Sequence, residues 1–234
     1  MKYRKIKIIA AVLLFAIGAA AQTDRPKTAA APQIDVWNDD FAGDRLDETK
    51  WEKFTFEGGS GGKIEVKEGE VRIRSASKTR AGIRTKEALT GDRWIVEAAL
   101  AKVGAGYPEP GSNGPTLGFA TLTILFDGAG RNRIEWILTS EGTFEAWAVR
   151  DGQGERLDNK TLGTKMKNPV LSVVRRGDEF LFVINRADGK PEEAQIGLQK
   201  TIKNLPKSFH VMLYCFGTSE NNWDAVRVTL VKGN

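Results

Sequence analysis

The stretch "RIEWILTSEGTFEAW", Arg133 to Trp147, sorts its side chains into two sets around a central Ser140-Glu141-Gly142. Read with a period of two, Ile134, Trp136, Leu138, Phe144, Ala146 and the following Ala148 form an apolar set, which is one face of a β-hairpin. Arg133, Glu135, Ile137, Thr139, Glu145 and Trp147 fall on the other face. A three-residue loop whose last position is left-handed calls for glycine there, and Gly142 supplies it. That loop pairs 138 with 144 and 136 with 146. A slip of one residue would mix the two sets, so the pattern specifies the register as well as the hairpin.

The same alternation recurs on both sides. "KIEVKEGEVRIRS" reads as a second hairpin turning at Glu68-Gly69. "RWIVEAALAKV", "TLGFATLTILF", "NPVLSVVRRGDEFLFVIN", "SFHVMLYCF" and "WDAVRVTLVK" read as further strands, parted by Gly, Asp and Asn. "FLFVIN" and "FHVMLYCF" are apolar on both faces, which predicts central strands covered on each side. No window carries a long capped amphipathic helix, and "EEAQIGLQKTI" fits either a helical turn or a strand. The fold class expected is all-β, a two-sheet antiparallel sandwich. The Gly- and Pro-rich segment 103–116 predicts a long loop.

The chain begins with a basic "MKYRKIK", an apolar "IIAAVLLFAIGAA" and small residues at Ala19-Ala20-Ala21, the pattern of a cleaved export signal over residues 1–21. Residues 22–33 read as a flexible leader and 34–234 as one domain. The expected location is secreted or periplasmic, with no membrane span once the signal is removed. The formal charge of +5 owes most of its size to Lys2, Arg4, Lys5 and Lys7 within that signal. The remainder is nearly balanced, so nucleic acid is not an expected partner. One histidine, His210, and one cysteine, Cys215, leave no material for a zinc cluster or a Ser-His-Asp triad. Cys215 lies in an apolar run and reads as a buried, inert thiol.

Three segments carry a family likeness. "DDFAGDRLDETKWEKF", "VKEGEVRIRSASKTRAGIRTKEALTGDRWIVEAALAKV" and the closing "NNWDAVRVTLVK" follow an order of elements that resembles the concanavalin A-like lectin and glucanase superfamily. Within it they look most like glycoside hydrolase family 16, over residues 36 to 232. The resemblance implies a jelly-roll sandwich. It also implies a catalytic strand with two glutamates flanking an aspartate, and here the matching place is Arg133 to Thr139. Glu135 stands where the first glutamate would be, but Ile137 holds the aspartate position and Thr139 the second glutamate position. The likeness therefore implies the fold without its chemistry.

Glu145 is the one nearby carboxylate that could replace the missing acid. In the hairpin register it lies diagonal to Glu135, with backbones about 7–8 Å apart, within reach of the separation of about 5–9.5 Å that paired glycosidase carboxylates use. Arg133, on the same face as Glu135, argues instead for an ion pair. Trp147 is either a stacking platform for the C–H face of a sugar or a ring packed under a neighbouring segment. Trp136 reads as core. The basic run from Arg72 to Lys86 fits an anionic glycan or, more simply, a solvated face balanced by acids on neighbouring strands.

Asp39, Asp40 and Asp224 lie near opposite ends of the chain, which the resembled fold brings together. Their oxygens suit a structural Ca²⁺, with Asp40 and Asp224 the ligands expected. The function expected is a non-catalytic lectin-like domain that binds a carbohydrate or cell-envelope polysaccharide through Arg133, Glu135, Glu145 and Trp147. The alternatives are a glycan hydrolase or lyase with a rearranged Glu135 and Glu145 pair, and a structural or adhesive envelope protein.

Overall fold

The computed structural model describes residues 33–56, 62–75, 80–106, 117–161, 168–186, 196–216 and 219–232. The signal segment and most of the leader lie outside these. Sixteen strands and no helix make up the secondary structure of the described residues. In chain order they are β1 (Gln33–Asp39), β2 (Trp51–Phe56), β3 (Lys63–Lys67), β4 (Glu70–Arg74), β5 (Arg80–Thr85), β6 (Leu89–Thr90), β7 (Arg93–Gly106) and β8 (Phe119–Leu125). They continue with β9 (Arg133–Thr139), β10 (Thr143–Arg150), β11 (Gln153–Thr161), β12 (Pro169–Arg176), β13 (Glu179–Arg186), β14 (Ile196–Thr201), β15 (Ser208–Phe216) and β16 (Ser219–Lys232).

Two antiparallel sheets result. The first runs β14-β13-β12-β7-β16-β4-β3, with β1 beside the C-terminal half of β16. The second runs β11-β10-β9-β8-β15-β5-β2, with β6 against β15. Neighbours in space are far apart in the chain at β7 with β16 and at β5 with β15, the crossed connections of a jelly roll. The all-β sandwich expected from alternation and turns is the observed fold.

Between the sheets lies one core. Trp51, Trp94, Trp136 and Trp223 are buried there with Phe144, Phe180, Phe182 and Phe209. Burial of such large side chains is the main stabilising contribution, about 1.5–3 kcal/mol for each Leu- or Phe-sized group. Trp136 is also a cross-link, since its indole N–H donates to the Val183 carbonyl of the opposite sheet at 2.9 Å. A buried indole usually places its polar edge against an acceptor in this way.

The Arg133–Trp147 hairpin has the expected register. Leu138 pairs with Phe144 and Trp136 with Ala146, and Gly142 is left-handed at φ 82°. The second hairpin also turns where expected, with Glu68 and Gly69 at φ 59° and 78° and Lys67 paired to Glu70.

Other expectations need correction. Gln33 begins β1 and is not leader, because it pairs with Lys232. The predicted loop at 103–116 starts late, since β7 continues through Gly106 by pairing with Ser219; its remainder, 107–116, lies outside the described residues. "IGLQKT" is a strand, β14, added to the edge of the first sheet at β13. β15 is covered on both faces, but β13 is not, as Leu181 is exposed on the outer side of the first sheet. Arg72 and Arg84 belong to different sheets, so the basic run is no single patch. Arg72 bonds Glu68 at 2.9 Å and Arg84 bonds Glu52 at 2.6 Å, which makes them locally balanced charges. Segment 76–79 of that run lies outside the described residues.

Candidate functional site

The outer face of the second sheet carries the expected site residues, and strand register orders them in rows. Along one row, Trp147 stands opposite Glu135, Glu135 opposite Thr123, Thr123 opposite Met212 and Met212 opposite Arg84. Along the next, Glu145 stands opposite Ile137, Ile137 opposite Thr121, Thr121 opposite Tyr214 and Tyr214 opposite Gly82. Period-two geometry aims these side chains to one side of the sheet. Sequence reading had placed four of them there from β9 and β10 alone.

Glu135 is the central polar group and is 5% exposed. Its Oε1 accepts from Arg133 Nε at 2.6 Å and from the Tyr214 hydroxyl at 2.7 Å. Arg133 also donates to the Gly130 carbonyl at 2.6 Å and lays its guanidinium 4.6 Å from the Phe56 ring centroid. The ion pair argued from residue parity is therefore present, and it is reinforced by a hydroxyl that parity did not reveal. Hydrogen bonds to charged groups of this kind contribute about 1.5–3 kcal/mol each.

Glu145 is held separately. It accepts from the Trp147 indole N–H at 2.8 Å and faces Arg156 at 3.8 Å. The two glutamates thus have different hydrogen-bond partners. Trp147 is half-buried at a β-bulge, where β10 shifts register against β11 between Ala146 and Trp147. Bulges re-aim side chains in this way. Its six-membered ring lies against Gly154, where an added Cβ would be 3.7 Å from Cε3.

Thr121 and Thr123 were not singled out in the sequence, yet both are fully buried on this face and their hydroxyls have no hydrogen-bond partner among the described residues. A buried unsatisfied polar atom costs about 1–3 kcal/mol, so two side by side call for explanation. Beyond them the face is filled by its own rings. Phe56 meets Tyr214 edge-on at 5.4 Å, Phe54 meets Phe56 at 5.0 Å, and Phe119 stacks on Phe216 at 4.2 Å. Gly82 makes room for them: a Cβ there would lie 2.3 Å from the Leu213 carbonyl and 2.5 Å from Tyr214 Cβ.

The chain ends do meet on the first sheet, where Asp39 pairs with Val226. Of the three aspartates there, Asp39 is the one held by several other groups. Asp39 accepts from Trp51 Nε1 at 2.6 Å and from the Phe41 amide at 3.1 Å, with Lys50 at 3.7 Å. Asp40 is exposed and accepts from the Ala42 amide. Burial, and then the charge of Glu70, push the Asp224 carboxyl up to about 6. Asp39 already faces three N–H groups, so a hard cation at its own carboxylate would have to displace a lysine and an indole. Cys215 is buried and its thiol is pushed up to about 11, chiefly by desolvation. His210 Nδ1 lies 2.7 Å from the Thr85 carbonyl, a contact within the sheet.

No protein-family model and no curated protein matches the chain. Solved structures do match. SCLam, a non-specific endo-β-1,3(4)-glucanase from family GH16, superposes with a TM-score of 0.58 at 13% identity, over 86% of this chain and 93% of that one. The fold is that of the family 16 glucanases. The CBM2 module of the evolved Dit of Lactobacillus casei BL23 phage J-1 gives 0.60 at 10% identity, over 87% and 98% of the two chains. A Bacillus licheniformis β-glucanase gives 0.56 at 10% identity, over 85% and 98%. A sandwich of this kind is thus common to proteins named as glucanases and to a module named CBM2, and only the side chains on its faces can distinguish their roles.

Proposed function

We propose that this protein binds a carbohydrate, without cleaving it, on the outer face of the second sheet. The observation that carries the reading is Trp147. Its ring is half-buried at a bulge, its N–H is fixed by Glu145, and Glu135 stands directly opposite with Arg133 and Tyr214 behind it. An oriented indole beside hydrogen-bonding groups with defined roles matches what a sugar presents, an apolar C–H face with hydroxyls around its rim. The structural neighbours include proteins named as glucanases, which supports the same class of ligand. The reading of binding without cleavage is supported by Ile137 and Thr139, which stand two and four residues beyond Glu135 and carry no carboxyl group.

A panel of laminarin, lichenan, agarose and carrageenan tests binding directly. For any that binds, Trp147→Ala weakens affinity by about 1–3 kcal/mol, the range for loss of an aromatic stacking platform. Unchanged affinity together with a lower melting temperature assigns Trp147 to packing and removes the reading. Export forms part of the proposal, since a cell-envelope or extracellular polysaccharide is then the available ligand. N-terminal sequencing of the exported protein should begin at or near Gln22.

A further inference from the structure

The proposed binding face is open toward β11 and filled at its centre, before the row reaches the half-buried Arg84 and Glu52. Moving inward from β11, Arg156 is exposed, Trp147 and Glu145 are half-buried, and Glu135 is 5% exposed; Thr123 and Met212, next along the row, are wholly buried. The closure is made by named groups. Phe56 stands edge-on against Tyr214. The loop between β8 and β9 presses on Phe56 so closely that a Cβ on Gly130 would lie 2.3 Å from its Cε1. Arg133 ties that loop down through the Gly130 carbonyl while covering the Phe56 ring. Phe56, Leu125, Met212 and Tyr214 thereby form a second, small core on what is otherwise the ligand face.

An internal stretch of a polysaccharide lying across a sheet needs free space on both sides of each bound sugar. Here that space ends at Glu135. The enclosed hydroxyls of Thr121 and Thr123 show how completely: they border Glu135 and Tyr214 in register, yet neither is exposed. From this geometry we infer that the site receives the end of a glycan chain and not its interior, with Trp147 under one sugar and the terminal hydroxyls directed at Glu135. The inference rests on the carbohydrate reading above and narrows it to chain ends.

The test counts sites. Whichever of laminarin, lichenan, agarose or carrageenan binds is cut by partial acid hydrolysis into fractions of decreasing length, and the full-length protein is titrated by calorimetry at constant glycan mass. Chain-end recognition makes the number of binding sites per gram rise in step with the number of ends, at unchanged affinity per site. A number of sites per gram that stays constant as the chains shorten overturns the inference and leaves carbohydrate binding standing. Absence of heat with every polymer and every fraction overturns both. Phe56→Ala adds a second readout. With the wall lowered, the long and short fractions converge to the same number of sites per gram, whereas a variant still tracking chain ends shows that the wall has no part in the selection.

Discussion

Tyr214→Phe is the sharpest probe of the buried polar group on the second sheet. The substitution removes one oxygen and keeps the ring, so the edge-on contact with Phe56 at 5.4 Å and the neighbouring contact with Phe216 at 6.0 Å are retained. What is lost is the hydroxyl that donates to Glu135 Oε1 at 2.7 Å, between residues 0% and 5% exposed. Solvent has little access to replace it, and Arg133 still donates to that oxygen. A hydrogen bond to a charged group contributes about 1.5–3 kcal/mol, and a domain of this size shifts its melting temperature by about 2–4 °C per kcal/mol, so a fall of about 3–12 °C is expected. Thermal melts followed by circular dichroism measure it. A cycle with Glu135→Gln should return a coupling energy of about 0.5–3 kcal/mol, since the two residues are in contact. If Tyr214→Phe melts within about one degree of the parent, the hydroxyl contributes no net stability and the argument from burial is refuted.

Gly82→Ala should destabilise by about 1–3 kcal/mol or more, because the added methyl would overlap the Leu213 backbone as well as Tyr214, and backbone cannot step aside cheaply; an unaltered melting curve would mean the strand shifts freely. Asp224→Asn should change stability in a pH-dependent way. Burial raises the folded-state value from 3.8 to about 6, so the protonated acid is the form the fold prefers, and the associated stability is whole below 3.8 and lost as pH rises through about 6. The asparagine variant therefore gains on the parent above pH 6, and the gain shrinks toward pH 4; a difference independent of pH would refute this. Purified protein incubated with laminarin, lichenan, agarose and carrageenan should release no new reducing ends. Turnover abolished in both Glu135→Gln and Glu145→Gln, with folding intact, would instead make the pair catalytic.

Much of the fold was legible because it is written in short-range pattern. The Arg133–Trp147 register follows from a three-residue loop and a two-fold alternation, both contained in fifteen consecutive residues. β11 was missed for the complementary reason. "QGERLDNKT" is exposed along most of its length and carries almost no apolar alternation, and it is a strand because β10 offers it an edge. β14 was ambiguous on the same grounds, an edge strand whose identity comes from β13 and not from its own residues. β13 shows the reverse error. A continuous apolar run suggested cover on both faces, but Leu181 stands in solvent on the outer side.

The site divides along the same line. That Arg133 would reach Glu135 could be argued from sequence, since residues two apart on a strand share a face, and the contact is there at 2.6 Å. Tyr214 could not be found in this way, because it is 79 residues from Glu135 and its approach depends on β15 pairing with β8 rather than with any other strand. Alternation gives each strand a face but says nothing of its neighbour. Glu135 illustrates what that omission conceals. A glutamate next to an arginine reads as an ordinary surface ion pair, worth little in water. Tyr214, Phe56 and the Gly130 loop pack around it, and the same pair becomes a desolvated one in the outer face of the sheet. A carboxylate committed to two donors on one oxygen is a fixed acceptor, suited to orient a hydroxyl, and no second carboxylate on this face shares its partners.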